Sequence, residues 1–228
     1  MGPNPAANHP VAVRWIPRAK DNGAKVICVD PLFTRSAAKA DIYAPLRSGT
    51  DIAFLGGMIR HILEKKLYQE ESVRNYTNAS YLVNPDLRMP GDLQGLFSGY
   101  DPKKRTYDKK TWAFQKDADE KVKKDPTLKD PNCVFQLLRK HYSRYTPDLV
   151  SSITGTPQEA LLKGYEPYGS TVQPERAGPE LYAVGWQRST GGTQSDRDIS
   201  TSLLRLGTTG GAGTGRHARA GGQGGGSG

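Results

Sequence analysis

The 228-residue sequence predicts an α/β fold in which helices flank a parallel sheet. Residues 24–29 form a short, continuous apolar run that is largely β-branched, as is typical of a strand buried in a parallel sheet. An extended segment at 41–46 then leads into a periodic helix, so that helices and strands alternate through residues 1–100. This alternation favours a Rossmann-like sheet, which we expect to be incomplete because its first strand would lie upstream of Met1.

Local signals predict the individual elements of this region. A helix is expected to start at 8–10, where a proline occupies the first turn, and Pro17 should cut it short. Residues 34–40 suit a short helical turn. The clearest helix follows Thr50, which is a good N-cap, and Asp51 adds negative charge to its first turn. Its apolar side chains recur at helical spacing: Ile52, Leu55, Met58, Ile59, Ile62 and Leu63.

The composition changes beyond residue 100. Residues 101–130 hold ten lysines or arginines and seven acids, with few aliphatic side chains. We therefore expect an irregular, solvent-exposed insertion with a short hairpin around 107–114. Apolar spacing then predicts a helix over 133–145, and two Thr-Pro pairs that follow it mark the starts of two short helices.

The last part of the chain combines loop composition with a glycine-rich end. Glycines and prolines predict a loop over 164–179, and 181–186 is a second candidate strand. Eleven of the 26 glycines fall in 207–228, which we expect to be a disordered tail. The sequence thus predicts four regions: an α/β dinucleotide cradle at 1–100, the charged insertion at 101–130, a helical segment with the second strand at 131–206, and the tail at 207–228.

Charge and cysteine content limit the classes of function. The formal net charge of +9 suits a polyanionic partner, so nonspecific nucleic-acid binding is an alternative function. The lysines of 101–130 are interleaved with acids, however, which favours a solvated insertion. No apolar run is long enough to span a membrane, and Cys28 and Cys133 are too few for a disulfide scaffold or a four-thiolate site. A degenerate product that does not fold is a further alternative.

Three loops are candidates for a ligand site, because ligands of open α/β sheets bind beyond the carboxyl ends of the strands. Residues 2–6 lead into the first helix, where free N–H groups would favour a phosphate. Asp30 follows the first strand and can accept hydrogen bonds from ribose hydroxyls, and Asp51 can accept them from a guanine edge. Together the loops suit a nucleotide, although helix caps and a turn would explain each residue alone.

The sequence offers no comparable signal for catalysis. Its four histidines are scattered, and Cys28 and Cys133 fall within a predicted strand and helix, as buried structural thiols do. Neither a P-loop nor a nucleophile or zinc-hydrolase motif is present. The residues alone therefore predict a nucleotide cradle without catalytic groups.

Several long motifs occur in an order and spacing that point to a known family. They resemble the alpha, catalytic subunit of nitrate-inducible, membrane-bound formate dehydrogenases, which are molybdopterin oxidoreductases. The resemblance covers roughly residues 2–207. Its motifs are Asn4-Pro5-Ala6, Asn8-His9-Pro10, Val29-Asp30-Pro31-Leu32-Phe33-Thr34-Arg35, Tyr43-Ala44-Pro45-Leu46-Arg47-Ser48-Gly49-Thr50-Asp51-Ile52, the stretches 75–80, 96–101 and 143–148, and Leu181-Tyr182-Ala183-Val184-Gly185-Trp186.

The resemblance implies an oxidoreductase that converts formate to carbon dioxide at a molybdenum or tungsten centre with two molybdopterin guanine dinucleotides. It also implies [4Fe–4S] clusters, an iron–sulfur beta subunit, a membrane cytochrome subunit and a site at the periplasmic face of the inner membrane. Nucleic acid is not an expected partner. The resemblance assigns cofactor contacts to Asn4, Pro5, Ala7, Val29, Asp30, Leu32, Gly49, Asp51, Gly185 and Trp186.

The sequence also departs from the pattern of the family that it resembles. The family's alpha subunit is several times longer, so we expect an internal fragment that lacks the metal ligand and the iron–sulfur motif and is inactive alone. The family has an acid in place of Ala7 and an arginine in place of Leu32, so two polar contacts would be missing here. The sequence after Trp186 departs as well, and no catalytic residue is assigned to this chain.

Overall fold

The computed structural model describes residues 1–2 and 4–170, apart from the side chain of Ala12. The predicted strand at 181–186, with Gly185 and Trp186, and the predicted tail at 207–228 lie outside the described residues. The chain divides into two compact units. Within the described residues the first combines Met1–Gln69 with 142–170, and the second is Glu70–His141.

Short helices and strands make up both units. The helices are α1 Pro5–Asn8, α2 Pro10–Val13, α3 Trp15–Asp21, α4 Asp51–Glu64, α5 Glu70–Tyr76, α6 Val134–Tyr142, α7 Pro147–Thr154 and α8 Gln158–Gly169. The strands are β1 Ile27–Val29, β2 Ile42–Ala44, β3 Tyr100–Asp101 and β4 Thr106–Tyr107. No helix among the described residues has the length and apolar character needed to cross a membrane.

The first unit contains a small parallel sheet. β1 pairs with β2 in parallel, with Ile27 opposite Ile42 and Val29 opposite Ala44. The apolar, β-branched run at 24–29 produces β1, and a 3₁₀ turn at Ala37–Lys39 returns the chain to the start of β2. The mixture of helices with a parallel strand pair confirms the predicted α/β class.

The core of the first unit forms where α4, α7 and α8 pack against this sheet. The fully or largely buried side chains are Val29, Ala44, Leu46, Phe54, Leu55, Met58, Ile62, Val150, Leu161, Tyr165 and Tyr168. Gly56 and Gly57 in α4 permit the close approach, because a Cβ at either position would lie 2.8–2.9 Å from atoms of a neighbouring side chain. The predicted apolar face of α4 is thus the surface on which the core is built.

Two predictions about prolines are wrong. Helix α3 continues through Pro17 to Asp21 instead of being cut short there. Pro17 is its third residue, where the missing N–H would have had no partner within the helix, and the break comes earlier, at Arg14.

The loop predicted at 164–179 is helical up to Gly169, with Pro167 inside α8. We attribute this to burial of Tyr165 and Tyr168, which retains the last turn of the helix despite the lost hydrogen bond.

The second unit contains the irregular, charged sequence. Its hairpin lies at β3 and β4 instead of at 107–114, because the Asp101 carboxylate accepts hydrogen bonds from the N–H groups of Lys103 and Lys104 and closes the turn there. Farther along, the Asp125 carboxylate accepts hydrogen bonds from three backbone N–H groups and one hydroxyl, and these hold the pKa of its carboxyl at about 2. Polar turns therefore organise this unit as much as its small core does.

Candidate functional site

The first predicted ligand residue, Asp30, lies at the carboxyl end of β1. It is buried, and its Oδ1 accepts a hydrogen bond from the Leu32 N–H at 2.9 Å. The Tyr43 hydroxyl donates to the Asp30 carbonyl oxygen at 3.0 Å and ties the strand end to β2. The turn interpretation of Asp30 is confirmed. Within the described residues no donor reaches Oδ2.

Two apolar side chains project from the same turn. Leu32 and Phe33 are 70% and 67% exposed. The Phe33 ring meets Tyr43 edge-on, with 5.1 Å between ring centroids and an interplanar angle of 86°. At Leu32, where the resemblance implies an arginine, the chain therefore presents an exposed surface without a polar side-chain atom.

The second ligand loop connects β2 to α4 and ends at Asp51. Gly49 has a φ of +83°, and a Cβ there would meet nothing within 4 Å, so glycine is favoured by the backbone conformation and not by lack of space. Thr50 occupies the predicted N-cap position but does not cap α4 with its side chain. Its hydroxyl donates to the Arg47 carbonyl oxygen at 2.6 Å and closes the turn before the helix.

Asp51 is the most unusual polar residue of the site. Only 9% of its surface is exposed, and burial raises the pKa of its carboxyl above the ordinary range. Its own backbone N–H partly offsets this effect. Within the described residues no basic side chain pairs with it and no other residue donates a hydrogen bond to it. The carboxylate therefore has unused acceptor capacity at the amino end of α4.

The third loop, at residues 4–7, differs from its prediction. Helix α1 has only four residues, and its N–H groups are not free. The Ala6 N–H donates to the Ser36 hydroxyl at 3.0 Å, and the Ala7 N–H donates to the Asn4 carbonyl oxygen at 3.0 Å. The expectation of free N–H groups for a phosphate is therefore wrong at these two residues. Contacts of Asn4, Pro5 and Ala7 with a cofactor stay predictions.

Electrostatic and hydrogen-bond links bring the three loops together. Burial raises the pKa of both the Cys28 thiol and the Asp51 carboxyl, and the amino group of Met1 partly offsets this in each case. The Ser36 hydroxyl, which follows the Asp30 turn, donates to Asn4 Oδ1 at 2.8 Å. The amino-terminal segment therefore lies near both β1 and the start of α4.

The remaining site residues fall in different places. Val29 is 6% exposed and packs into the core, so its side chain supports the strand. Sequence reasoning missed Ser36, Tyr43 and Arg47, which anchor the three loops by hydrogen bonds. Tyr43 and Arg47 lie within a motif of the resemblance, which marks them without giving a role, whereas nothing in the pattern singles out Ser36.

The described residues offer no metal centre. No group of three or more His, Cys, Asp or Glu side chains among them could hold an ion. The Cys133 thiol is buried and donates to the Ala79 carbonyl oxygen at 2.7 Å, and Cys28 is half-buried within β1. Both thiols therefore have structural surroundings, and burial raises the pKa of each.

Comparison with known proteins identifies relatives of the whole chain. It is 50% identical over 218 residues to the formate dehydrogenase subunit alpha of Megalodesulfovibrio gigas, a match that covers 96% of this chain and 21% of the relative. It is 49% identical over 219 residues to the nitrate-inducible formate dehydrogenase major subunit of Escherichia coli, with the same coverage. The resemblance to formate dehydrogenase alpha subunits is confirmed.

The similarity concerns one segment of those subunits, because the chain spans about a fifth of the length of the curated relatives it matches. Among solved structures, acetylene hydratase from Pelobacter acetylenicus superposes with a TM-score of 0.54 over 89% of this chain and 20% of that protein, at 21% identity. This match supports the fold of the chain and nothing further. No family model matches the chain.

Proposed function

We propose that this chain is the guanine-dinucleotide-binding segment of a formate dehydrogenase catalytic subunit. The observation that carries the proposal is the Asp51 carboxylate, which is buried at the amino end of α4 and has no donor other than its own N–H within the described residues. Burial disfavours the charged form of this carboxyl and raises its pKa, so a ligand that supplies donors would stabilise the carboxylate.

Guanine fits this carboxylate by its donor pattern. Its N1–H and exocyclic N2–H point in the same direction and match the two oxygens of one carboxylate. Adenine has no such donor pair, and hypoxanthine lacks the exocyclic amine. Hydrogen bonds to a charged acceptor contribute roughly 1.5–3 kcal/mol each, so the arrangement gives base specificity as well as affinity.

The other predicted residues fit the rest of the dinucleotide. Asp30 Oδ2 would accept hydrogen bonds from ribose hydroxyls, and the open space at Gly49 would let the ligand approach the backbone. Asn4, Pro5 and Ala7 would line the neighbouring segment, with Val29 and Leu32 beside Asp30. Gly185 and Trp186 are proposed contacts of the second pterin.

In the complete subunit the cofactor would be a pair of molybdopterin guanine dinucleotides around molybdenum or tungsten. That centre, with [4Fe–4S] clusters, would supply the electron-transfer chemistry of formate oxidation. The residues of this chain would bind and orient the nucleotide. A beta iron–sulfur subunit, a membrane cytochrome subunit and a periplasmic site are further parts of the proposal.

The proposed assembly also accounts for the small sheet. β1 and β2 would be two strands of a larger Rossmann-like sheet whose other strands come from the remainder of the subunit. The four regions at 1–100, 101–130, 131–206 and 207–228 remain our proposal for the organisation of the segment. By itself the chain should show no formate-dependent dye reduction, since its proposed role is to bind and orient the nucleotide.

Binding of nucleosides to the full chain tests the proposal directly. Isothermal titration should give tighter binding of guanosine diphosphate than of adenosine or inosine diphosphate. Asp51→Asn and Asp51→Ala should remove that preference, because neither variant presents a carboxylate to the base. Asp119→Asn, at an exposed acid of the second unit, is the matched control. Equal binding of the three nucleotides by the unaltered chain would refute the proposal.

A chimera tests the same role in a complete enzyme. The matching stretch of the Escherichia coli nitrate-inducible major subunit is replaced by this chain, with and without Asp51→Ala. The parent chimera should retain guanine nucleotide after purification, measured by chromatography after acid release, and should oxidise formate. The Asp51→Ala chimera should lose most of both, and full retention of nucleotide by that variant would exclude Asp51 as an anchor.

A further inference from the structure

Arg47 lies in the loop that leads to Asp51, and its guanidinium makes contacts distant in sequence. Nη1 donates to the carbonyl oxygens of Ser152 and Ile153 at 2.8 and 3.1 Å. Both carbonyls belong to the last turn of α7, where helical C=O groups have no partner within the helix. The positive charge also complements the negative end of the helix dipole. Arg47 therefore caps α7 from a loop more than one hundred residues earlier.

The backbone of the same residue strengthens this connection. The Arg47 N–H donates to the Thr154 carbonyl oxygen at 2.7 Å. A Cβ on Gly155 would lie 3.3 Å from Arg47 Nε, so the guanidinium packs directly on the turn that ends α7. The Thr156 hydroxyl donates to the Pro45 carbonyl oxygen. The segment before Asp51 is thus fastened at several points to the end of α7.

Arg47 also stabilises the turn that connects this anchor to α4. Its carbonyl oxygen accepts hydrogen bonds from the N–H of Thr50 at 3.2 Å and from the Thr50 hydroxyl at 2.6 Å. These bonds close the turn that contains Gly49 with its positive φ. Asp51 follows immediately as the first residue of α4, so its place depends on this turn.

We propose that Arg47 is a positioning residue that holds the Asp51 carboxylate in place for the guanine base. The contacts that carry this role are the two bonds from Nη1 to carbonyl oxygens of α7, which fix the guanidinium at the end of that helix. The inference rests on the proposed function and deepens it: recognition of the base depends on an anchor at the far end of α7 as well as on the carboxylate.

The test measures the ratio of the dissociation constants of inosine and guanosine, which lack phosphates. A ratio does not change with the fraction of folded protein, so loss of stability alone does not alter it. The unaltered chain should prefer guanosine by about tenfold or more, the value of one hydrogen bond to a charged group. Arg47→Ala should reduce the preference to about threefold or less, and Arg47→Lys should restore part of it. Arg105→Ala, at an exposed arginine of the hairpin, is the control.

Several results would overturn the inference. An unchanged ratio in Arg47→Ala, whether binding is weakened or not, would assign Arg47 to stability or to phosphate contact. If Arg47→Ala does not fold, Thr50→Val removes the hydroxyl bond to the Arg47 carbonyl and should lower the ratio by about threefold, and an unchanged ratio there counts equally against the role.

A second readout separates this inference from the proposed function. Carbon-13 NMR titration of the Asp51 carboxyl needs no nucleotide. Arg47→Ala should bring its pKa toward the ordinary value, because a loosened turn exposes the carboxyl to water. An unaltered chain that fails to distinguish the nucleosides refutes the proposed function, whereas an unmoved pKa in Arg47→Ala refutes the anchor itself.

Discussion

Gly57, in the middle of α4, is the position at which the packing of α4 against α7 and α8 is most sharply tested. A Cβ at this position would lie 2.8 Å from the Tyr165 hydroxyl oxygen and 2.9 Å from Val150 Cγ2. Neither neighbour has room to move, because Tyr165 is 2% exposed and Val150 is fully buried. The Tyr165 hydroxyl also donates to the Phe54 carbonyl oxygen at 2.8 Å. Gly57→Ala therefore forces α8 and α7 away from α4 or breaks this hydrogen bond.

Three contributions set the size of the effect. Overpacking a buried site typically costs about 1–3 kcal/mol. Displacing the Tyr165 hydroxyl from its buried acceptor costs a further ~1 kcal/mol or more. Replacing glycine by alanine within a helix stabilises the folded state by about 1 kcal/mol, because alanine loses less backbone entropy on folding. The free energy of unfolding should consequently fall by about 2 kcal/mol, although helix propensity alone would predict a gain.

Urea denaturation followed by far-UV circular dichroism measures this change. Gly91→Ala is the matched control, because a Cβ on Gly91 would meet nothing within 4 Å; its unfolding free energy should change by less than about 0.5 kcal/mol. Tyr165→Phe removes the crowded oxygen, so Gly57→Ala should cost less in that background. A Gly57→Ala chain as stable as the unaltered one would refute the packing of α4 against α8.

Three further outcomes follow from burial and charge. Leu161→Ala should lower the unfolding free energy by about 2–5 kcal/mol and Leu162→Ala by much less, because Leu161 is fully buried and Leu162 is 42% exposed; urea midpoints decide this. Asp125→Asn should lower the unfolding free energy by about 2 kcal/mol, since an amide accepts hydrogen bonds at only one of its two polar atoms, whereas Asp92→Asn should leave it unchanged. Because folding lowers the Asp125 pKa to about 2, the stabilisation that this carboxylate provides should be lost as the pH falls from about 4 to 2. Folding raises the Asp51 pKa, so the contribution of this group to the unfolding free energy should be largest below about pH 4 and should decrease as the pH rises through the raised pKa. Asp51→Asn should remove this pH dependence of the urea midpoint.

The elements that were predicted correctly are those determined by a pattern of residues close together in the sequence. Helix α4 follows from apolar side chains at helical spacing, and β1 follows from a short β-branched run bounded by Asp30 and Pro31. Helix α7 begins at the predicted Thr-Pro pair, where the Leu149 N–H donates to the Thr146 hydroxyl at 3.2 Å. Each of these depends on residues only a few positions apart, so the sequence contains the whole signal.

The predictions that were wrong concern competition between local and distant partners. Thr50 has the right residue type for a cap, yet its hydroxyl bonds to the Arg47 carbonyl. Pro167 normally ends a helix, but buried neighbours in α8 retain the turn around it. The contacts of Arg47 with the end of α7 span more than one hundred residues, and no local pattern indicates them. Tertiary packing selects one of several acceptable local choices in each case.

The position of Asp51 connects these observations to function. A carboxylate at the first turn of a helix is ordinary, and helix-dipole stabilisation explains it when the group is exposed. Asp51 is buried instead, and its pKa is raised although its own N–H and the amino group of Met1 partly offset the effect of burial, so the dipole alone gives no reason for its burial. The turn that precedes it is closed by hydrogen bonds from Thr50 to the Arg47 carbonyl oxygen, and the Arg47 N–H donates to the Thr154 carbonyl oxygen. The proposed guanine base would supply donors that match this carboxylate, and the nucleoside titrations of the Asp51 variants test that match directly.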